Sequence, residues 1–156
     1  MPGLKPHKLE EMHEEHVTTL DHLALLAQAI RAPRTFRSAS DPRFKALLRT
    51  LVMNLEGNVA DHFRFEEAHL FPALRRAGHV ELADTLSLEH TELRKDGRSL
   101  LDQLDATLEK DLSDETWSGI GRLAMRLIDK QRAHMQREES EMVPALRAAQ
   151  DGVGSP

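Results

Sequence analysis

Cysteine is absent from all 156 residues. Its absence removes disulfides, thiolate metal sites, thiol nucleophiles and covalent haem attachment together, so any metal held by side chains must be held by histidine and carboxylate. Tyrosine is also absent, tryptophan occurs once, and aromatic residues make up 4% of the chain. Leu, Ala, Glu and Arg dominate instead, which favours helix over strand and points to an all-α class. No run approaches the roughly 18 apolar residues that a membrane span needs. The N-terminal stretch MPGLKPHKLEEMHEEH carries no apolar signal core, so the expected setting is cytoplasmic, with no membrane association. Positive charge is not in excess either: the net charge of −5 gives no electrostatic reason to expect nucleic acid as a partner. At this length residues 1–156 are expected to form a single domain that buries a core without staples.

What the chain does contain is one stretch written twice. His62-Phe63-Arg64-Phe65-Glu66-Glu67 runs on to Pro72-Ala73-Leu74-Arg75, and His134-Met135-Gln136-Arg137-Glu138-Glu139 runs on to Pro144-Ala145-Leu146-Arg147. The shared residues keep one constant offset, which marks an internal repeat. In each copy His and Glu stand at i and i+4, one above the other on the same face of a helix.

Apolar periodicity places these blocks on helices. A first helix from near Lys8 carries the stripe Leu9, Met12, His16, Leu20, Leu23, Ala27, Ile30, and stops before Pro33. A Pro- and Ser-containing connection from Ala32 to Pro42, with Asp41 as N-cap, leads to a second helix through Leu47, Leu48, Leu51, Leu55, Val59, His62, Glu66 and Leu70. Pro72 is placed to bend its last turn and Gly78 to stop it. A third helix from about Val80 carries Leu82, Leu86, His90, Leu93, Gly97, Leu100, Leu101, Leu104 and Leu108. Ser113 then reads as the N-cap of a fourth, with Trp117, Ile120, Leu123, Leu127, Gln131, His134, Glu138, Met142 and Leu146 on its apolar face. Four such helices predict an up-down-up-down four-helix bundle with an internal two-fold repeat, spanning about 8–149 between tails 1–7 and 150–156.

The half-repeat also selects partners for the two blocks. His16 precedes His62 by nearly the same interval as His90 precedes His134, and both stripe histidines follow a glutamate, Glu15 and Glu89. The core faces then supply four imidazoles and two carboxylates: His16, His62, Glu66, His90, His134 and Glu138. That count suits a dinuclear site, and mixed nitrogen and oxygen donors suit Fe, Mn or Zn. Glu66 and Glu138, one from each half, are the expected bridging carboxylates. Taken singly, each piece has a plainer reading, a hydrogen-bonded core histidine or an i,i+4 contact; the conjunction favours metal.

The remaining polar candidates are weighed the same way. Glu67 and Glu139, turned about 100° from the first acids, are expected to pair with basic neighbours, with Arg64, Arg75, Arg137 and Arg147 as candidates. His69 reads as an ordinary polar position, and His7, His13, His22 and His79 as surface. Met12, Met53, Met125, Met135 and Met142 read as core filler.

His16, the block from His62 through Glu66-Glu67 to Leu70-Phe71-Pro72, Glu89-His90 and His134-x3-Glu138-Glu139 together resemble a hemerythrin-like, or HHE cation-binding, domain over about residues 8–149. The resemblance implies a non-haem di-iron centre in a four-helix bundle, with carboxylate bridges and an oxo or hydroxo bridge when oxidised, that reacts with dioxygen, peroxide or nitric oxide. Two positions depart from the oxygen carriers. A second histidine expected one turn after the helix 3 ligand is Arg94 here, and His-x4-Asp in the last helix is His-x3-Glu. These departures leave one metal position with an open or water-filled place, or one filled by another carboxylate. They favour redox sensing, peroxide or nitric oxide chemistry, or iron handling over reversible oxygen carriage. A peroxide-consuming enzyme and a metal-free interaction module are the alternatives.

Overall fold

In the computed structural model the described residues are 6–31, 59–107 and 113–153, with Pro42, Arg43, Ala46, Thr50, Met53 and Gly57 between. The first rod, α1 (Pro6–Arg31), begins two residues before the expected Lys8. Proline at the first turn explains this, because its fixed φ suits a helix start and its missing N–H would have no partner there. The second rod consists of α2 (Ala60–Phe65), a π-helical turn at Glu66–Leu70, and α3 (Phe71–Arg76). The third is α4 (Val80–Thr107). The fourth consists of α5 (Asp114–Arg137), a second π-helical turn at Glu138–Met142, and α6 (Val143–Val153). This last helix runs past Asp151, where a Gly- and Ser-containing tail was expected. The Ala32–Pro42 connection with Asp41, the stripe positions Leu47, Leu48, Leu51 and Leu55, and Leu108 lie outside the described residues, although Pro42 and Arg43 are helical.

The helix ends follow from local chemistry. Ser113 has an extended backbone and its hydroxyl accepts from the Thr116 amide at 3.2 Å, the cap expected from sequence. At the end of α3 the chain turns through Gly78 at φ 92°, a conformation that glycine adopts without a Cβ clash. There the His79 amide reaches back to Leu74 O and the Gly78 amide to Arg75 O, which satisfies two carbonyls at the helix end.

Buried side chains fall into two apolar clusters with a polar layer between them. One contains Leu9 and Met12, Leu70 and Leu74, Ala83 and Leu86, and Met142 and Leu146. The other contains Leu23 and Ala27, Phe63, Leu93 and Leu100, and Ile120 and Leu127. The first cluster joins the early turns of α1 and α4 to the late turns of the second and fourth rods, so neighbouring rods run antiparallel. All four pack together as an up-down-up-down bundle. Thr19, rather than Leu20, continues the buried stripe of α1, and Met53 is 74% exposed rather than core filler. Among the described residues no helix is long and apolar enough to cross a membrane.

Candidate metal centre

Each copy of the repeated block leaves the α-helical pattern at the same point. Pro72 and Pro144 lack an amide hydrogen, and in a regular α-helix their rings would press on the carbonyl four residues back. Both rods relieve this with a π-helical turn: the Phe71 amide donates to Glu66 O and the Val143 amide to Glu138 O, five residues back in each case. Both turns start at the first acid of a Glu-Glu pair. Sequence alone placed a bend near Pro72; it did not show that the bend widens the helix from Glu66 and Glu138 onward.

All six residues selected from the sequence come together in the layer between the clusters. His16, His62, Glu66, His90, His134 and Glu138 are each at least nine-tenths buried. Their donor atoms form two overlapping groups: His16, His62, Glu66 and Glu138 in one, Glu66, His90 and His134 in the other. Glu66 spans both, with Oε1 against His62 Nε2 and 3.8 Å from His16 Nε2, and Oε2 3.0 Å from His90 Nε2. Glu138 Oε1 lies 3.5 Å from His16 Nε2 and 2.9 Å from His134 Nε2. The imidazoles meet in pairs, His16 with His62 at 2.8 Å and His90 with His134 at 3.1 Å, Nε2 to Nε2.

Three further carboxylates orient three of the histidines, and a fourth stands near the last. His62 Nδ1 donates to Glu15 at 2.5 Å, His134 Nδ1 to Glu89 at 3.2 Å and His90 Nδ1 to Glu67 at 2.9 Å. Glu139 takes the corresponding place but lies 3.6 Å from His16 Nδ1, which has no hydrogen-bond partner. An ionised carboxylate only accepts, so the ring proton sits on Nδ1 and the Nε2 lone pair points inward. Glu15 and Glu89 reach the histidine of their own half of the chain; Glu67 and Glu139 reach across to the other half. These four roles were missed from sequence. The signal for two of them was the acid immediately before each stripe histidine, and for the other two the second acid of each repeated pair.

The basic partners differ from those expected. Arg94 holds Glu67 with two bonds, at 2.6 and 3.0 Å, and His13 bonds Glu139 at 2.6 Å. Arg64 pairs with Asp61, Arg75 with Asp84, and Arg137 with Glu89 and Glu141; Arg147 takes neither acid. His13 is exposed but engaged, His22 is half-buried rather than on the surface, and His69 and His79 are exposed. His69 rests against the Phe65 ring.

The inner layer is electrostatically incomplete as a set of protein groups alone. All four oxygens of Glu66 and Glu138 are buried without a hydrogen-bond partner, although a buried carboxylate normally costs several kcal/mol unless it is paired. Three of the four inward Nε2 atoms face them with lone pairs, because their rings donate outward through Nδ1. A cation is the group that both kinds of donor accept, and the donor chemistry fits one or two ions. Protonation follows the same logic. Burial holds His16 and His90 down to about 4, which keeps both neutral and able to ligate at neutral pH. Burial, then the neighbouring Glu138, pushes Glu66 up. Burial also opposes ionisation of Glu138, but the facing His134 imidazole and Glu66 outweigh it and hold the group at about 2. His134 is raised because Glu138 and Glu89 outweigh the opposing effect of burial.

A family model described as the hemerythrin HHE cation binding domain matches residues 7–146. No curated protein and no solved structure matches the chain.

Proposed function

The chain belongs to the hemerythrin HHE cation-binding domain family, and on that premise we propose that it binds two iron ions in the polar layer and reacts there with a small oxidant: dioxygen, peroxide or nitric oxide. The observation that carries this reading is the set of four buried, unpartnered oxygens on Glu66 and Glu138 within reach of four imidazoles. His16 and His62 would hold one ion and His90 and His134 the other, with Glu66 shared and Glu138 closing the set. A bound iron pair supplies reversible one-electron steps and a Lewis-acidic place for a small ligand. The protein orients the imidazoles through Glu15, Glu67 and Glu89, keeps His16 and His90 neutral by burial, and holds the layer between two apolar clusters.

Arg94 occupies the position from which a further histidine would ligate, and Glu67 ties it down. This favours a reactive or sensing centre over a reversible oxygen store. The test is iron content per chain after anaerobic loading, with the near-ultraviolet spectrum before and after air. About two irons per chain and a spectrum that changes on oxidation are expected; less than one iron per chain refutes the reading. A steady-state peroxide assay against free iron then separates turnover from binding.

A further inference from the structure

A cavity of about 420 Å³ opens beside one half of the polar layer. Its lining includes Glu11, Glu14, Glu15 and Asp61, and among the described lining residues there is no lysine or arginine. His16 and His62 also line it, and the buried Nδ1 of His16 has no hydrogen-bond partner. Lys8 pairs with Glu11 and Arg64 with Asp61, whereas Glu14 and Glu15 face neither lysine nor arginine among the described residues. The opposite half is built differently. There the carboxylates behind the imidazoles each carry an arginine, Glu67 with Arg94 and Glu89 with Arg137. The internal repeat explains the contrast: Phe65 stands where the second copy has Arg137, and Leu20 follows His16 as Arg94 follows His90.

We propose that this acid-lined cavity is the entry path for divalent cations, and that the ion held by His16 and His62 is loaded through it. The inference rests on the metal-binding reading above and adds a route to it. Clustered carboxylates at a low-dielectric opening concentrate cations and raise association rates by about 10- to 1,000-fold, an effect that salt suppresses. Glu15 links mouth to site, since it lines the cavity and also accepts from His62 Nδ1. In the arginine-bearing half the carboxylates are already paired, so that side offers the same ions less attraction. A separate cavity of about 350 Å³ on the bundle's other cluster mixes Arg94 and Arg98 with Asp102 and Asp105 among apolar side chains, so it offers no comparable attraction.

The experiment follows uptake of Co²⁺ by the metal-free full chain in a stopped-flow spectrometer, through the visible bands that histidine and carboxylate ligation give this ion. The triple variant Glu11→Gln, Glu14→Gln, Asp61→Asn neutralises the mouth and leaves Glu15 and every proposed ligand in place. Uptake is expected to slow about 10-fold and to lose most of its salt dependence, while the number of ions bound at saturation stays that of the unaltered chain. Unchanged uptake by the triple variant overturns the proposal. So does slowing by Asp102→Asn with Asp105→Asn, which would place entry at the other cavity. The unaltered chain gives a second check: its uptake rate must fall as ionic strength rises, and a flat profile overturns the route. If the unaltered chain binds no Co²⁺, Fe²⁺ or Zn²⁺ at saturation, the metal reading itself is what fails.

Discussion

Arg94 and His90 meet on one atom: Glu67 Oε1 accepts from the Arg94 guanidinium at 2.6 Å and from His90 Nδ1 at 2.9 Å. The arginine at the position of an expected histidine thus fixes the carboxylate that fixes His90, a proposed ligand. The same contacts hold the Glu67 carboxyl below its usual range, first through Arg94 and then through His90, against an opposing effect of burial. Glu67→Ala is expected to lower affinity for one of the two proposed ions about 10- to 100-fold while the helix content stays unchanged. Arg94→Ala should cost less, because Glu67 retains its bond to His90. Competition with a coloured chelator measures both; equal affinities in all three proteins would remove Glu67 from the site.

Glu66 belongs to both donor groups, whereas each histidine belongs to one. Stoichiometry should therefore divide the variants. If the proposed ions are bound, His62→Ala or His134→Ala is expected to lose about one, and Glu66→Ala both, since each removes a donor side chain. Loading also stabilises the fold. At a free ion concentration 100 times the dissociation constant the gain is about 2.7 kcal/mol, or roughly 5–10 °C in Tm for a chain of this size. A melting temperature indifferent to a strong chelator would favour the metal-free interaction module.

The metal-free protein should weaken in acid. His16 and His90 lie at about 4 in the folded chain and near 6.5 when unfolded. Between those values the unfolded chain binds more protons, so stability falls as pH drops from 6.5 towards 4. Glu66, raised when folded, keeps a proton over part of the same window and offsets about one of the two. His134 works at the other end: its raised value adds stability below pH 6.5 that is lost as pH climbs through its folded pKa. The net expectation is a loss approaching about 1 kcal/mol per pH unit near pH 5, read from urea midpoints at pH 6, 5.5 and 5. Midpoints that rise over that interval would contradict the assignment of His16 and His90 as buried and neutral.

Much of this site was legible because a helix converts spacing into direction. His62 with Glu66, and His134 with Glu138, are one turn apart, and the half-repeat chose His16 and His90; all six meet in one layer. What the spacing could not convey was contact between different rods. Glu15 bonding His62, and Glu67 bonding both His90 and Arg94, depend on how far each rod is rotated about its axis. The π-helical turns at Glu66 and Glu138 add to that, because each inserts a register change that a uniform 3.6-residue period does not contain. The charge difference between the halves was written in the sequence as Phe65 against Arg137, but it gained meaning only once Glu89 was seen beside Arg137.

Phe63 is the wall between the polar layer and the second cavity. Its ring is buried, stacks on His90 at 3.9 Å and 12°, meets His134 edge-on at 5.9 Å, and also lines the 350 Å³ cavity. Phe63→Ala removes that wall in two senses. Losing the ring should cost about 3–5 kcal/mol of stability, and it should join the cavity beside Arg94 to the ligand layer. Extraction of bound metal by a hydrophilic chelator is then expected to accelerate, because a route now exists that does not pass the carboxylates at Glu11, Glu14 and Asp61. Phe63→Leu keeps an apolar side chain in place and should show a smaller stability loss with near-normal extraction. Stability is read from the urea midpoint and access from the extraction rate. An Ala variant that loses stability without faster extraction would show that the ring packs the core but does not seal the site.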